Sequence, residues 1–267
     1  MAEMEYLPNF QKDNYIHPKA AWDKLRMAGA RRQNVYLYAA TGYGKTELLH
    51  RYLRRRRHIW LSGEGLTVET LQEIALPAEA TMVIDDLARV LDPAVRREIV
   101  SMLDQPGGGV WLVLAGRCPL PSWLTRPYVN GRLSVIPEED LRLSEKEIAQ
   151  LYLSWGVQLP RNLLEKRIIP LVEGNPLGAR LLAMEMSQGS SYTEELMNDL
   201  TRKFYEYLNQ AIYSEWPEEI REMMMQLSLL EHFTIQQAEE MTGRSDVNRL
   251  LAQAAETGNL FSIKDGG

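Results

Sequence analysis

Ala39-Ala-Thr-Gly-Tyr-Gly-Lys-Thr46 follows the apolar run Val35-Tyr-Leu-Tyr38 and precedes a helical pattern with the apolar face Leu48, Leu49, Tyr52 and Leu53. Strand, glycine-bearing loop and helix in that order are the setting in which G-x-x-x-x-G-K-[ST] cradles phosphate. Glycines let successive backbone N–H groups turn inward without a Cβ clash, and the helix N-terminus adds a favourable dipole. Lys45 is placed to reach the β- and γ-phosphates as a mobile point charge, and the Thr46 hydroxyl to ligate Mg²⁺. The first glycine of the pattern is replaced by Ala39, and Gly42 partly offsets this by freeing the middle of the loop.

Working outward, His58-Ile-Trp-Leu61, Thr81-Met-Val-Ile84, Val110-Trp-Leu-Val-Leu114 and Leu133-Ser-Val-Ile136 repeat the short apolar run. Continuous runs of this length suit strands buried on both faces. Helical patterns lie between them, one opening at Asp92-Pro93 with a stripe of Val95, Ile99, Met102 and Leu103 and a stop at Pro106-Gly-Gly-Gly109. Alternation of this kind predicts an α/β fold, a parallel five-stranded sheet with helices on both faces. Beyond Leu143 the strands cease. Ser144 with Glu147 and Thr234 with Gln237 have capping-box spacing, and Leu143 and Ile148 that of a hydrophobic staple. Asn175-Pro176 opens a helix with the face Leu177, Leu181 and Leu182, and longer helices are expected after Thr193 and Pro217. Gly243 is placed to end a helix, Ser245 to cap the next as far as about Glu256, and Gly258 to close it before a strand at Leu260–Ile263. The expected organisation is a nucleotide-binding domain over 1–140, a helical lid over 141–200 and a truncated winged-helix-like domain over 201–267.

The second chemical signal is Thr81-Met-Val-Ile-Asp-Asp86, an apolar strand ending in two carboxylates, with room after Thr46 for one helix–strand–helix. In a P-loop enzyme Asp85 would hold Mg²⁺ through water, and Asp86 would orient or deprotonate the attacking water. Alone, the pair reads better as a helix cap and a solvated charge; the P-loop at this spacing turns the reading toward the metal and water roles. The fourth strand runs into Ala115-Gly-Arg117, and an arginine at that strand end can sense the γ-phosphate or simply lie on the surface.

Composition excludes other classes. The 267 residues carry 30 Lys and Arg against 36 Asp and Glu, a formal charge of −6, so the chain is no non-specific polyanion binder. Cys118 is the one cysteine, which rules out an intrachain disulfide framework and a Cys-rich zinc site. A reduced, soluble, cytoplasmic setting is expected, with no apolar run near the ~18 residues of a membrane span. Arg51 and Arg54-Arg-Arg-Arg57 read as a solvated helix end, and His50, His58 and His232 lack ligand spacing. The helix Asp246–Glu256 stands where a recognition helix would, but its Leu- and Ala-rich face is poor equipment for a major groove.

Taken in order, the motifs resemble the STAND class of P-loop signalling ATPases, specifically the MalT-like regulators of the LuxR transcription-factor family. The stretches that carry the resemblance are Thr41-Gly-Tyr-Gly-Lys-Thr-Glu-Leu48, Val83-Ile-Asp-Asp-Leu87, Leu112-Val-Leu-Ala-Gly-Arg117, Asp140-Leu-Arg-Leu-Ser-Glu-Lys-Glu147, Glu173-Gly-Asn-Pro-Leu177 and Leu227 to Phe261. The resemblance implies a switch in which ADP holds a closed form, while inducer and ATP favour an open, self-associating one. It implies an adenine-nucleotide site formed by Thr41, Gly42, Tyr43, Gly44, Lys45, Thr46 and Glu47. Pro176 would pack on the base, His17 and Pro18 would cradle adenine, Arg117 would be the sensor, and Thr46 and Asp85 would hold Mg²⁺. Lys45, Asp86 and Arg117 would form the catalytic set. Asp86 stands where many relatives carry Glu, and the shorter reach implies slow or absent hydrolysis. The family's sensor repeats and C-terminal DNA-binding domain are missing, so the chain is expected to be a fragment or truncated relative, with DNA contact left to residues outside it. The alternative is an AAA+ motor or loader with Arg126 or Arg132 as a finger, and a third reading is a repressor using the terminal winged helix.

Overall fold

The computed structural model describes residues 14–74, 80–105, 110–188, 193–211, 213, 216–230 and 232–257. Its first part alternates α1 (Lys19–Arg31), β1 (Asn34–Tyr38), α2 (Lys45–Leu53), β2 (His58–Ser62), α3 (Val68–Glu73), β3 (Thr81–Asp85), α4 (Pro93–Asp104), β4 (Trp111–Gly116), α5 (Thr125–Val129) and β5 (Leu133–Ile136). The five strands form one parallel sheet in the order β2-β3-β4-β1-β5, as the alternation predicts. Successive residues of a strand point to opposite faces. Val35, Leu37, Val83, Val113 and Ala115 therefore pack with Leu25 of α1 and Leu48 and Leu49 of α2. Tyr36, Met82, Ile84, Leu112 and Leu114 pack on the other side with Val95, Ile99 and Leu103 of α4. Both faces are covered, which is why the strands read as unbroken apolar runs. The Asp92 carboxylate accepts from the Ala94 N–H at 2.7 Å, with Pro93 at the first helical position. The glycine stop at 106–109 lies outside the described residues.

The chain then turns helical: α6 (Glu138–Leu141), α7 (Glu145–Ser154), α8 (Arg161–Leu163), a π-helical turn over Leu164–Ile168, α9 (Ile169–Val172), α10 (Pro176–Ser187) and α11 (Glu194–Ala211). Leu143, Ile148, Leu151, Tyr152, Ile168, Val172, Leu182 and Met186 form a core of their own. Ser144 closes the predicted capping box on α7, donating its own N–H to Glu147 at 2.7 Å. Leu143 and Ile148, the expected staple, are both buried. Ile16 packs against this helical core from the segment before α1.

The last described elements are α12 (Glu218–Leu227), α13 (Ile235–Thr242) and α14 (Val247–Thr257), around a core of Trp216, Ile220, Met223, Leu227, Ala238, Val247, Leu250, Leu251 and Ala254. Thr234 and Gln237 form the second capping box, and Gly243 ends α13 in the left-handed region at φ 67°. Ser245 stands one residue too early to be the expected cap: α14 begins at Val247, and the Asp246 carbonyl accepts the Leu250 N–H at 3.1 Å. The Leu and Ala face of α14 is the core itself. Gly258 and the strand expected at 260–263 lie outside the described residues.

Candidate functional site: a phosphate loop between two strand ends

Parallel strands place all their carboxyl ends on one edge of the sheet, where open α/β proteins bind ligands. Along that edge stand, in spatial order, Gly63 after β2, Asp85 and Asp86 after β3, Arg117 after β4, the Ala39–Gly44 loop after β1 and Glu138 after β5. Residues far apart in sequence thus form one row.

The loop has the backbone that a phosphate cradle requires. Gly42 and Gly44 adopt φ 93° and 72°, left-handed values that side chains resist. Nothing lies within 4 Å of a Cβ built on Gly44, so it is the left-handed backbone, not crowding, that favours glycine there. Gly44 precedes α2, so first-turn N–H groups of α2 are directed at the loop. The Thr41 Oγ1 is buried with no hydrogen-bond partner. A buried, orphaned hydroxyl in a loop that ends at a helix N-terminus fits an anionic ligand with acceptor oxygens. Lys45 folds back onto the loop and donates to the carbonyls of Ala39 at 2.6 Å and Ala40 at 3.2 Å. Burial pushes its ammonium down to about 8, against the opposing attraction of Asp85.

The two carboxylates divide their roles by geometry. The Thr46 hydroxyl donates to Asp85 Oδ2 at 3.0 Å, uniting the P-loop helix with the β3 terminus across β4. A hydroxyl and a carboxylate oxygen so close together are the hard-oxygen set that Mg²⁺ selects, the remaining positions falling to water and phosphate. Asp86 stands in the left-handed region at φ 50°, with its N–H donated to Asp85 Oδ1 at 2.9 Å. A Cβ on Gly63 would collide with the Asp86 carbonyl oxygen, so glycine there permits the turn. Arg117 approaches Asp86, Nε to Oδ1 at 3.6 Å. Behind it, the buried Tyr36 hydroxyl donates to the Cys118 carbonyl at 2.7 Å, anchoring the stretch that bears Arg117 to β1.

The remaining predicted residues are dispersed around this centre. Glu47 points away from the cradle and pairs with Arg51, whose guanidinium lies 4.1 Å over the Tyr15 ring. His17 is exposed, its ring tilted against Trp22 with centroids 4.6 Å apart, while Pro18 is buried just before α1. His17 lines a groove between α1 and α7 together with Tyr15, Trp22, Arg26 and Arg142. Pro176 is the first residue of α10, whose cap Asn175 accepts the Gly178 N–H at 2.9 Å. Its neighbour Leu177 does not join the helical core; its N–H donates to the Gly42 carbonyl at 3.2 Å. Sequence reasoning missed Leu177 in this role, and missed Glu138, whose Oε2 accepts the Ala40 N–H at 2.9 Å. The available signal for Glu138 was its place just past the β5 terminus. Among the described residues no cluster of three or more His, Cys, Asp and Glu side chains is arranged to hold a metal ion. No described helix is long and apolar enough to cross a membrane.

Sheet order, loop and paired carboxylates define a P-loop fold, and solved structures agree. A Walker-type ATPase of Pyrococcus abyssi superposes with a TM-score of 0.64 at 9% identity, over 96% of this chain and 95% of that one. A RuvB variant of Thermotoga maritima does so with a TM-score of 0.52 at 17% identity, over 92% of each chain. The more particular likeness lies in sequence. Residues 209–267 match the MalT winged helix domain, a region of which the structure describes three helices. The HTH-type transcriptional regulator MalT of Vibrio cholerae serotype O1 is 21% identical over 195 residues, 70% of this chain. The chain spans 21% of that relative's length. The chain thus joins a P-loop-type α/β fold to a region similar to the MalT winged helix domain.

Proposed function

We propose that this chain is the nucleotide-operated switch of a transcriptional regulator, binding ADP or ATP with Mg²⁺ and converting occupancy into the position of a helical lid. The observation that carries the reading is the Leu177 N–H to Gly42 carbonyl bond: the lid's Asn175-Pro176 helix sits directly on the phosphate loop. A loop that rearranges around phosphate cannot leave that contact unaffected. Differential affinity for two lid positions, rather than tight binding alone, is what moves such an equilibrium.

In this reading the units are 1–140 for the nucleotide, 141–200 for the lid and 201–267 for the winged helix. The separate apolar cores, one on each face of the sheet and one in each of the two helical parts that follow, support that division, with α11 bridging the second boundary. The amides from Thr41 to Thr46 hold the phosphates, Lys45 supplies charge, and Thr46 and Asp85 hold the metal. Mg²⁺ would supply charge neutralisation at the phosphates. Pro176 covers the base from the lid, and His17 and Pro18 approach it from the segment before α1. Glu47 contributes through its place in the first turn, its carboxylate being committed to Arg51. Asp86 is the acceptor that orients water, and Arg117 is the sensor. Their mutual pairing withdraws both from chemistry, so hydrolysis is slow. Inducer binding opens the lid and releases a surface for self-association. DNA contact belongs to a region outside this chain: Arg244 and Arg249 are already paired with Asp246 and Glu219.

The test is to denature the purified protein, identify any released nucleotide by ion-exchange chromatography, and titrate ADP and ATP into parent and Lys45→Ala proteins. Near-stoichiometric ADP, and binding at least 100-fold weaker in Lys45→Ala, are expected. Equal binding by the variant would overturn the reading, and turnover rising steeply with protein concentration would favour a motor instead.

A further inference from the structure

The phosphate loop is tied to the lid at a second place, by a group that no phosphate role explains. Glu138 begins α6 immediately after β5, and its side chain is only 12% exposed. One carboxylate oxygen accepts the Ala40 N–H at 2.9 Å, and the other lies 3.6 Å from an Arg142 guanidinium nitrogen. The Tyr43 hydroxyl, in the middle of the loop, stands near both the Glu138 carboxylate and the Arg142 guanidinium. Arg142 in turn lies against the turn that starts the lid helix. A Cβ on Gly174 would come within 3.0 Å of Arg142 Cβ, and the Leu143 N–H donates to the Gly174 carbonyl at 2.8 Å. From Gly174 the chain runs through Asn175 and Pro176 to Leu177, and so back to Gly42.

We infer that Glu138, Tyr43 and Arg142 form a latch that positions the phosphate loop against the lid, closing a ring with the Leu177–Gly42 bond and setting how slowly bound nucleotide leaves. Each member acts through another group, so these are positioning residues. Glu138 holds the loop entry through Ala40. Tyr43 carries loop movement to Arg142, and Arg142 passes it to the backbone at Gly174. Two attachments on opposite sides of one loop prevent the lid from lifting without distorting the cradle. Slow release follows, because departure requires both attachments to yield. The latch rests on the nucleotide-switch reading for its consequence and on the ligand-free contacts for its existence.

The experiment has an arm for each. Dissociation of a fluorescent ADP analogue with Mg²⁺, followed by stopped flow, should be about 10-fold faster in Glu138→Ala and several-fold faster in Tyr43→Phe. Glu138→Gln keeps an acceptor for Ala40 and should restore most of the parental rate. Tyr43→Phe and Arg142→Ala should be non-additive when combined, since either alone breaks the same link. The second arm uses ligand-free protein: hydrogen exchange across α10 should accelerate in Tyr43→Phe, a change that removes one oxygen atom and leaves the apolar cores intact. Parental release rates in all variants would overturn the latch while leaving nucleotide binding standing. If the parent binds no ADP, the switch reading fails, and unchanged α10 exchange would then overturn the latch separately.

Discussion

At the scale of single residues, Lys45 carries the most testable charge in the molecule. Its ammonium is largely withdrawn from water and donates to two loop carbonyls, so burial lowers its pKa to about 8 in the ligand-free protein. A phosphate ligand favours the charged form, because an opposite charge in a dry site raises the pKa of an ammonium. The sign follows directly. Below pH 8 the lysine is already protonated and affinity for ADP is insensitive to it. Above pH 8 the free site must take up a proton on binding, so affinity should fall by a factor approaching ten per pH unit. Calorimetric titrations at pH 9 in two buffers of different ionisation enthalpy should reveal that proton uptake, and Lys45→Met should show none. A flat affinity from pH 7 to pH 9.5 would mean that the lysine is charged throughout.

Among elements, α10, the proposed lid helix, shows how a local rule sets a contact with the phosphate loop. Asn175 accepts the Gly178 N–H and Pro176 takes the first helical position, so the helix starts at a fixed residue. That register places the Leu177 N–H opposite Gly42. Asn175→Ala should cost about 1 kcal/mol of stability, the ordinary value of a lost N-cap, with Asn175→Asp recovering most of it. Urea unfolding checks the first effect. Faster release of ADP in Asn175→Ala, beyond what a control cap variant such as Ser144→Ala produces, checks the functional one. The same element marks the limit of what was legible in the sequence. Strands, caps, staple and phosphate loop all declare themselves through periodicity or local spacing, and Asp85 could be paired with Thr46 because both belong to a known chemical pattern. Leu177 looked like one more residue of an apolar helix face, and nothing local singled out Glu138. Their partners are 135 and 98 residues away. No local pattern distinguishes a leucine that packs in its own core from one whose backbone reaches another, and only the assembled sheet edge brings β5 beside β1. Ser245 failed for a smaller reason: Asp246 competes for the same cap and lies next to the helix start.

For the whole molecule, the decisive property is that stability is distributed over four apolar cores among the described residues, one on each face of the sheet and two in the helical parts that follow. The sheet domain and the lid meet through Leu177 and Gly42, through Glu138 and Arg142, and through the segment 14–18, where Tyr15 lies under Arg51 of α2 and Ile16 enters the lid core. The Lys19 N–H adds a bond to Glu147 of α7 at 2.6 Å. Such contacts are individually worth about 1 kcal/mol, enough to hold the units together and weak enough for a ligand to rebalance. A ligand at 100 times its dissociation constant adds roughly 2.7 kcal/mol to whatever it stabilises. If the lid is part of the binding unit, that increment protects the lid as well as the phosphate loop. Hydrogen exchange with and without Mg²⁺ and ADP should therefore slow across residues 40–46 and across α10, while α4, on the opposite face of the sheet, changes little. Slowing confined to 40–46 would describe a nucleotide-binding domain beside an indifferent helical one, and would leave the cap and latch contacts without any part in a switch. Slowing that also reaches α12–α14 would extend the rigid unit to the winged helix and make the bound nucleotide the common support of sheet, lid and winged helix alike.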